Sequence, residues 1–334
     1  MRKIRVAQIG AEHDHSYLIM NSLRKQTDVF DVIGYAVPDG EKNINPKIYD
    51  GLPQLTVEEI FNDTALDAVI IETGEKNLTK YALMAAERGI SVHMDKPGGY
   101  ELADFEKLIG TVKEKKTVFH TGYMYRYNPA VRKIQERIKN GELGEIYSVE
   151  AQMSCEHTDA KRAWLGDFPG GMMFYLGCHL IDMICLFRGI PDEVIPFNAN
   201  TGINGNTSED YGFAVLKYPN GVSFAKSCAA ERGGFTRRQL VVCGSRGTVE
   251  LKPFEHLVDP GRGTDQHTHV RECITPGRSW SFDGVQYHCE PFDRYDSMMR
   301  SFAEYVVGEK ENPYSPDYEL AVYSTMLKAC GKIK

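Results

Sequence analysis

The chain has 334 residues, a net charge of −7, and is 42% apolar and 25% charged. That length exceeds what one hydrophobic core usually serves, so two domains are expected. The acidic balance argues against a nucleic-acid binder, which normally carries a basic face, and no apolar run approaches the ~20 residues that span a bilayer.

Met1 to Gly10 enters a strand-like pattern directly, without the regions of a signal peptide, so a cytoplasmic protein starting at or near Met1 is expected. The eight cysteines (Cys155, Cys178, Cys185, Cys228, Cys243, Cys273, Cys289 and Cys330) form no C-x-x-C pair and read as buried thiols in a reducing compartment.

In chain order, Ile4 to Ile9 reads as a strand ending at Gly10, and Ser16 to Lys25 has helical spacing. Asp31 to Val37 is a second strand, closed by Pro38, Asp39 and Gly40. Ala68 to Ile71 is a continuous apolar strand, as expected when both faces are covered. Leu78 to Arg88 is a helix stopped by Gly89. Ser91 to Met94, helix Leu102 to Lys115 and strand Thr117 to Thr121 complete an alternation that signals a parallel sheet covered by helices. The pattern then changes. A helix from Pro129 to Asn140, ended by Gly141, leads into strands at Ile146 to Ser154, Tyr211 to Tyr218, Val222 to Ser227, Gln239 to Cys243 and Thr248 to Leu251. Asn220-Gly221 reads as a hairpin turn. One helix interrupts the series around Met173 to Phe187. Asp259 to Gly284 reads as loop, and helices at Asp293 to Val307 and Tyr318 to Lys328 end the chain. The predicted fold is α/β: a Rossmann domain over residues 1–122 and an α+β domain over 123–334, with the C-terminal helix packing back on the first.

A strand, a tight glycine turn and a helix start can cradle a dinucleotide pyrophosphate, because N–H groups and the helix dipole favour an anion there. Here the turn is Gly10-Ala11-Glu12-His13-Asp14-His15-Ser16. Only the first glycine of G-x-G-x-x-G is present; Glu12 adds bulk and negative charge, which His13 or His15 would offset by donating to phosphate. A plain structural turn accounts for this segment equally well. Asp39, near the end of the second strand, is a candidate for the ribose hydroxyls, although turn formation explains it too. Thr73, just past the strand Ala68 to Ile71, completes this group.

Five segments, in order, resemble the family of glucose–fructose oxidoreductase, inositol dehydrogenase and MocA (Gfo/Idh/MocA). They are Asp95-Lys96-Pro97, similar to the family's E-K-P; Gly122 through Val131; Gly141 through Gly144 with the strand after it; Gly170-Gly171 through His179 and Asp182; and Gly244 through Gly247 with the strand after it. The resemblance implies NAD or NADP as cofactor, a sugar, inositol or related polyol as substrate, and a second domain with a large open mixed, mostly antiparallel sheet. It also implies a homodimer or homotetramer formed through that sheet, and a cis peptide before Pro97.

Lys96, past a strand end, is placed to bond a substrate hydroxyl and stabilise the developing alkoxide. His179 suits removal of the hydroxyl proton. Tyr175 and Asp182, at i−4 and i+3, share its helix face, so Asp182 would orient the imidazole. Tyr175 stands where the family usually has aspartate; a phenol of pKa ~10, lowered by a nearby lysine, would serve as acid or base. Tyr125, Arg126 and Asn128 match positions that line the family's substrate pocket, and Lys161, Arg162 and Trp164 would add cationic and stacking contacts. The clusters Cys155 to Asp159 and His267, His269, Glu272, Cys273 lack a recognised ligand spacing, so no metal is expected. Two other functions remain open: a sensor that binds a sugar or nucleotide without turnover, and a nicotinamide-assisted glycoside hydrolase.

Overall fold

The computed structural model describes residues 1–257, 265–274 and 284–334. The chain divides into two compact units, Met1–Met124 with Tyr295–Tyr323, and Tyr125–Arg294 with Ser324–Lys334.

The first unit opens with β1 (Ile4–Ile9), α1 (Ser16–Lys25), β2 (Phe30–Ala36), α2 (Val57–Phe61), β3 (Ala68–Ile71), α3 (Leu78–Glu87), β4 (Ser91–Met94), α4 (Leu102–Lys115) and β5 (Phe119–Thr121). Its strands are all parallel, in the order β2-β1-β3-β4-β5. Every residue of β3 is buried, as a strand covered on both faces requires. The strand order reverses between β1 and β3, the switch point beside which doubly wound sheets bind ligands. Register sets what gathers there. Ile9 pairs with Ile71, and Ile71 with Met94, so Gly10, Glu72 and Asp95 leave the sheet side by side at its carboxyl edge.

The second unit contains α5 (Pro129–Lys139), β6 (Ile146–Ser154), α6 (Asp159–Trp164), a π-helical turn at Met173–Gly177 and α7 (Cys178–Arg188). The strands β7 (Glu193–Pro196), β8 (Tyr211–Tyr218), β9 (Gly221–Cys228), β10 (Gln239–Gly244) and β11 (Thr248–Leu251) follow, then β12 (His256–Leu257), β13 (Asp265–His267), β14 (His269–Cys273), β15 (Val285–His288) and β16 (Phe292–Asp293). Among the described residues, eight strands form one sheet in the order β15-β14-β11-β10-β6-β9-β8-β7. Only β6 and β9 pair in parallel; the other neighbours are antiparallel. The hairpin between β8 and β9 closes where Tyr218 pairs with Gly221, at the expected Asn220-Gly221 turn. Helix α7 packs on β6 and β9.

Part of the stretch read as loop from Asp259 to Gly284 is extended. In β14, Val270 sits between Leu251 of β11 and Tyr287 of β15, so flanking strands impose a conformation that its His, Arg and Glu residues do not advertise. The remainder of that stretch up to residue 283, 259–264 and 275–283, lies outside the described residues.

The chain then returns to the first unit through α8 (Asp296–Val306) and α9 (Pro316–Ala329), the latter as far as Tyr323. Ser22 of α1 donates to Asp296 at 2.7 Å, and Tyr323 stacks on Phe105 of α4 with centroids 4.2 Å apart. No helix of the described residues is long and apolar enough to cross a membrane.

Candidate active site

Gly10 has φ +95°, and a Cβ there would lie 2.3 Å from the Thr73 amide nitrogen, so only glycine lets the β1 turn pass under the end of β3. The amide of Gly10 donates to Ala36 and that of His13 to Glu72, which ties the turn to both neighbouring strands. Ser16 opens α1, which has no acidic residue in its first turn. Thr73 and Ser16 are fully buried, whereas Asp39 is exposed beside a cleft of about 480 Å³ that Lys80 and Tyr81 also line.

The structure turns both turn histidines to a carboxylate rather than leaving them for phosphate, as the sequence suggested. His13 donates from Nε2 to the Lys96 carbonyl at 3.1 Å, and its Nδ1 lies 3.3 Å from Asp95 Oδ2. His15 Nδ1 lies 3.0 Å from the same oxygen. Burial drives His13 down to about 3, so it is neutral. Glu72 is fully buried beside His13, with Oε2 3.7 Å from Nδ1. Burial, and then the neighbouring Asp95, push the Glu72 carboxyl well above its usual range. Burial would raise Asp95 too, but His13, His15 and Lys96 hold it well below. The pair therefore carries one negative charge. Lys96 is itself buried, its amide donates to Asp95 Oδ1 at 2.6 Å, and its peptide bond to Pro97 is cis.

Glu72 escaped the sequence reading, although an acidic residue ending a wholly apolar strand marks a sheet's carboxyl edge. So did His93 and His120, paired across β4 and β5 with Nδ1 atoms 2.7 Å apart. Burial lowers His93 to about 4. His120 stacks on Phe302 of α8, so these rings are core.

On the other side of the turn, Glu12 approaches Gly74, and Glu41 and Glu75 lie close enough for their charges to interact. Burial raises Glu41 to about 7, opposed by a bond from Asn77. A raised acid is neutral in the fold below that value. Its contribution to stability is complete below the ordinary glutamate range and is lost as the pH rises towards 7. Ionisation also adds a negative charge beside Glu12 of the glycine turn. NAD affinity is therefore expected to weaken severalfold between pH 6 and pH 8, and Glu41→Gln to flatten that dependence in a fluorescence titration.

In the second unit, the π-helical turn at Met173–Gly177 carries Tyr175 and leads directly into His179 in the first turn of α7. His179 is buried and meets the Tyr125 ring edge-on at 4.9 Å. Several residues assigned to substrate are instead committed to the protein. Arg126 grips Asp182 through Nη2 (2.6 Å) and Nε (2.9 Å), both side chains 1% exposed, so the carboxylate assigned to His179 balances a guanidinium. Asn128 caps α5 by accepting from the amides of Ala130 and Val131. Arg162 is buried against Asp210 at 3.1 Å, and Tyr125 donates to Glu255 at 2.6 Å, a carboxylate also held by Arg238. Lys161, Trp164 and Tyr175 do come together. The Lys161 ammonium lies 3.6 Å from the Trp164 ring and 4.7 Å from that of Tyr175, and the two rings meet at 86°. His157, unassigned from sequence, adds a ring 6.0 Å from Tyr175.

Residues 4–123 match the oxidoreductase family with an NAD-binding Rossmann fold, and residues 131–250 match the GFO/IDH/MocA C-terminal domain. This chain belongs to the Gfo/Idh/MocA oxidoreductase family. It is 32% identical over 257 residues to scyllo-inositol 2-dehydrogenase (NAD(+)) of Bacillus subtilis, covering 74% of this chain and 70% of that protein. It is 24% identical to trans-1,2-dihydrobenzene-1,2-diol dehydrogenase of Bos taurus, over 87% of this chain and 83% of the relative. The fold superposes on aldose-aldose oxidoreductase of Caulobacter crescentus with a TM-score of 0.79 at 17% identity, covering 99% and 97% of the two chains.

As a Gfo/Idh/MocA protein the chain is an NAD(P)-binding oxidoreductase. The residues fit that cofactor in three respects: the φ +95° glycine turn at Gly10, a helix start without acidic side chains in its first turn, and the cation of Lys96 at the end of β4. The acidic group around Glu12 is the unusual feature of the cradle.

Proposed function

We propose that this Gfo/Idh/MocA protein oxidises a secondary hydroxyl of a sugar, inositol or related polyol, or reduces the corresponding ketone. The observation that carries the reading is Lys96, buried in its Asp95-Lys96-Pro97 motif at the carboxyl edge of a parallel sheet. The nicotinamide, when bound, supplies the hydride acceptor or donor. Lys96 stabilises the alkoxide that forms as the carbinol hydrogen leaves. Tyr175 and His179 handle the hydroxyl proton, and the cation and rings of Lys161 and Trp164 suit the faces of a hydroxylated ring.

Cofactor titration with NAD(H) and NADP(H) followed by absorbance at 340 nm over a sugar and polyol panel tests this. We expect micromolar binding of one dinucleotide and turnover of at least one cyclic polyol. Binding of neither form by folded protein would overturn the reading.

We also propose a cytoplasmic homo-oligomer. All eight cysteines are free thiols. One face of the eight-stranded sheet leaves Phe213, Val215, Phe224 and Val241 only half-buried. Light scattering on the eluting protein gives the subunit count.

A further inference from the structure

Glu72 is 0% exposed, and its carboxyl meets that of Asp95, a hydrogen bond between two acids that holds only while they share a proton. A buried carboxylate in that state calls for a cation or a proton. The surroundings supply donors of the kind that hold a metal. His13 Nδ1 lies 3.7 Å from Glu72 Oε2 and 3.3 Å from Asp95 Oδ2, and His15 Nδ1 lies 3.0 Å from Asp95 Oδ2. The ligand atoms of His13, His15 and Asp95 all fall within 4.8 Å of one another.

We propose that His13, His15 and Asp95, with Glu72 beside them as a fourth donor 3.7 Å from His13, form a binding site for a divalent transition-metal ion of the zinc class within the first unit. Zinc–ligand bonds of about 2.0–2.1 Å set ligand atoms about 3.3–3.4 Å apart; the His13–Asp95 and His15–Asp95 separations of 3.3 and 3.0 Å lie near that length, and the His13–Glu72 separation of 3.7 Å is longer. Two imidazoles and two carboxylates suit zinc, whereas calcium or magnesium would call for an all-oxygen set.

The outer contacts agree. His13 donates Nε2–H to the Lys96 carbonyl, which leaves Nδ1 as the ligating nitrogen and fixes the ring, the arrangement typical of metal-bound histidine. The ion would displace the bond from the His15 amide to His13 Nδ1 at 3.2 Å and that from His15 Nδ1 to Asp95 Oδ2 at 3.0 Å. The protons on His15 Nδ1 and Glu72 would pass to solvent as the metal takes their place. Three of the four side chains are at most 1% exposed and His15 is 14% exposed, so His15 marks the open side.

The histidine-bearing clusters singled out from sequence do not compete with this site. Cys155 Sγ lies 3.2 Å from His157 Nε2, and among the described residues this pair belongs to no group of three convergent ligand atoms. His256, His267, His269 and His288 pack as stacked and edge-on rings. Among the described residues, the group at His13 is where three ligand atoms converge.

The test is a titration of chelator-treated, full-length protein with Co2+, followed by displacement with Zn2+. We expect one ion per chain and the intense visible absorption of tetrahedral cobalt. Glu72→Gln preserves the shape of the protonated acid, so it should fold; circular dichroism checks this. Glu72→Gln and His15→Gln should each weaken binding roughly 10–100-fold, and His269→Gln should leave it unchanged. Absence of saturable uptake by folded protein would overturn the proposal. So would uptake that survives Glu72→Gln and His15→Gln but disappears in His269→Gln. Either result leaves the oxidoreductase reading standing, because that reading is tested by dinucleotide binding.

Discussion

Lys96→Met is expected to lower kcat for polyol oxidation by about 10²–10³-fold, the usual cost of removing one donor aimed at a developing oxyanion. Methionine retains much of the length and flexibility of the side chain while removing its charge. The ground-state hydroxyl is neutral and the alkoxide is not, so the ammonium stabilises the transition state more than the bound substrate. The loss should therefore fall on kcat, with a smaller change in KM and in dinucleotide affinity. Melting provides the internal control, because Lys96 also offsets the single negative charge of the Asp95–Glu72 pair. A variant that melts like the parent and turns over within a few-fold of it would remove Lys96 from the chemistry.

Arg126→Met separates two readings of one residue. If Arg126 bound substrate, its loss would raise KM and leave stability alone. The structure instead buries it on Asp182 through two short bonds, both side chains 1% exposed. Removing one partner strands the other charge away from water, at a cost of about 3–5 kcal/mol. For units of this size that corresponds to a fall in melting temperature of roughly 10 °C or more. The double variant Arg126→Met/Asp182→Leu removes both charges and should recover most of that loss. A melting temperature unchanged in Arg126→Met, with a raised KM, would return the residue to the substrate pocket.

Much of the frame was legible along the chain. The alternation of buried strands with amphipathic helices, Gly10 after the first strand and the Asn220-Gly221 turn are local signals, and each appears where local physics puts it. The boundaries of β1, β3, β4, α1 and α4 agree with the sequence reading to the residue. Strand β14 was not legible, because its residues alternate weakly and its conformation comes from β11 and β15 on either side.

The candidate site was legible only in part. Motif and position pointed to Lys96, His179 and Tyr175, and helix spacing assigned Asp182 to His179. Yet Asp182 answers to Arg126, 56 positions away, and Glu72 meets Asp95 only because β3 and β4 lie side by side in register. Sequence by itself determined which segments are strands or helices and which face of each is apolar, since those depend on neighbours a few residues apart. Tertiary structure decided which buried charge meets which. That depends on strand order and register, and a carboxylate out of water must be answered by whatever group the fold brings within a few ångströms of it.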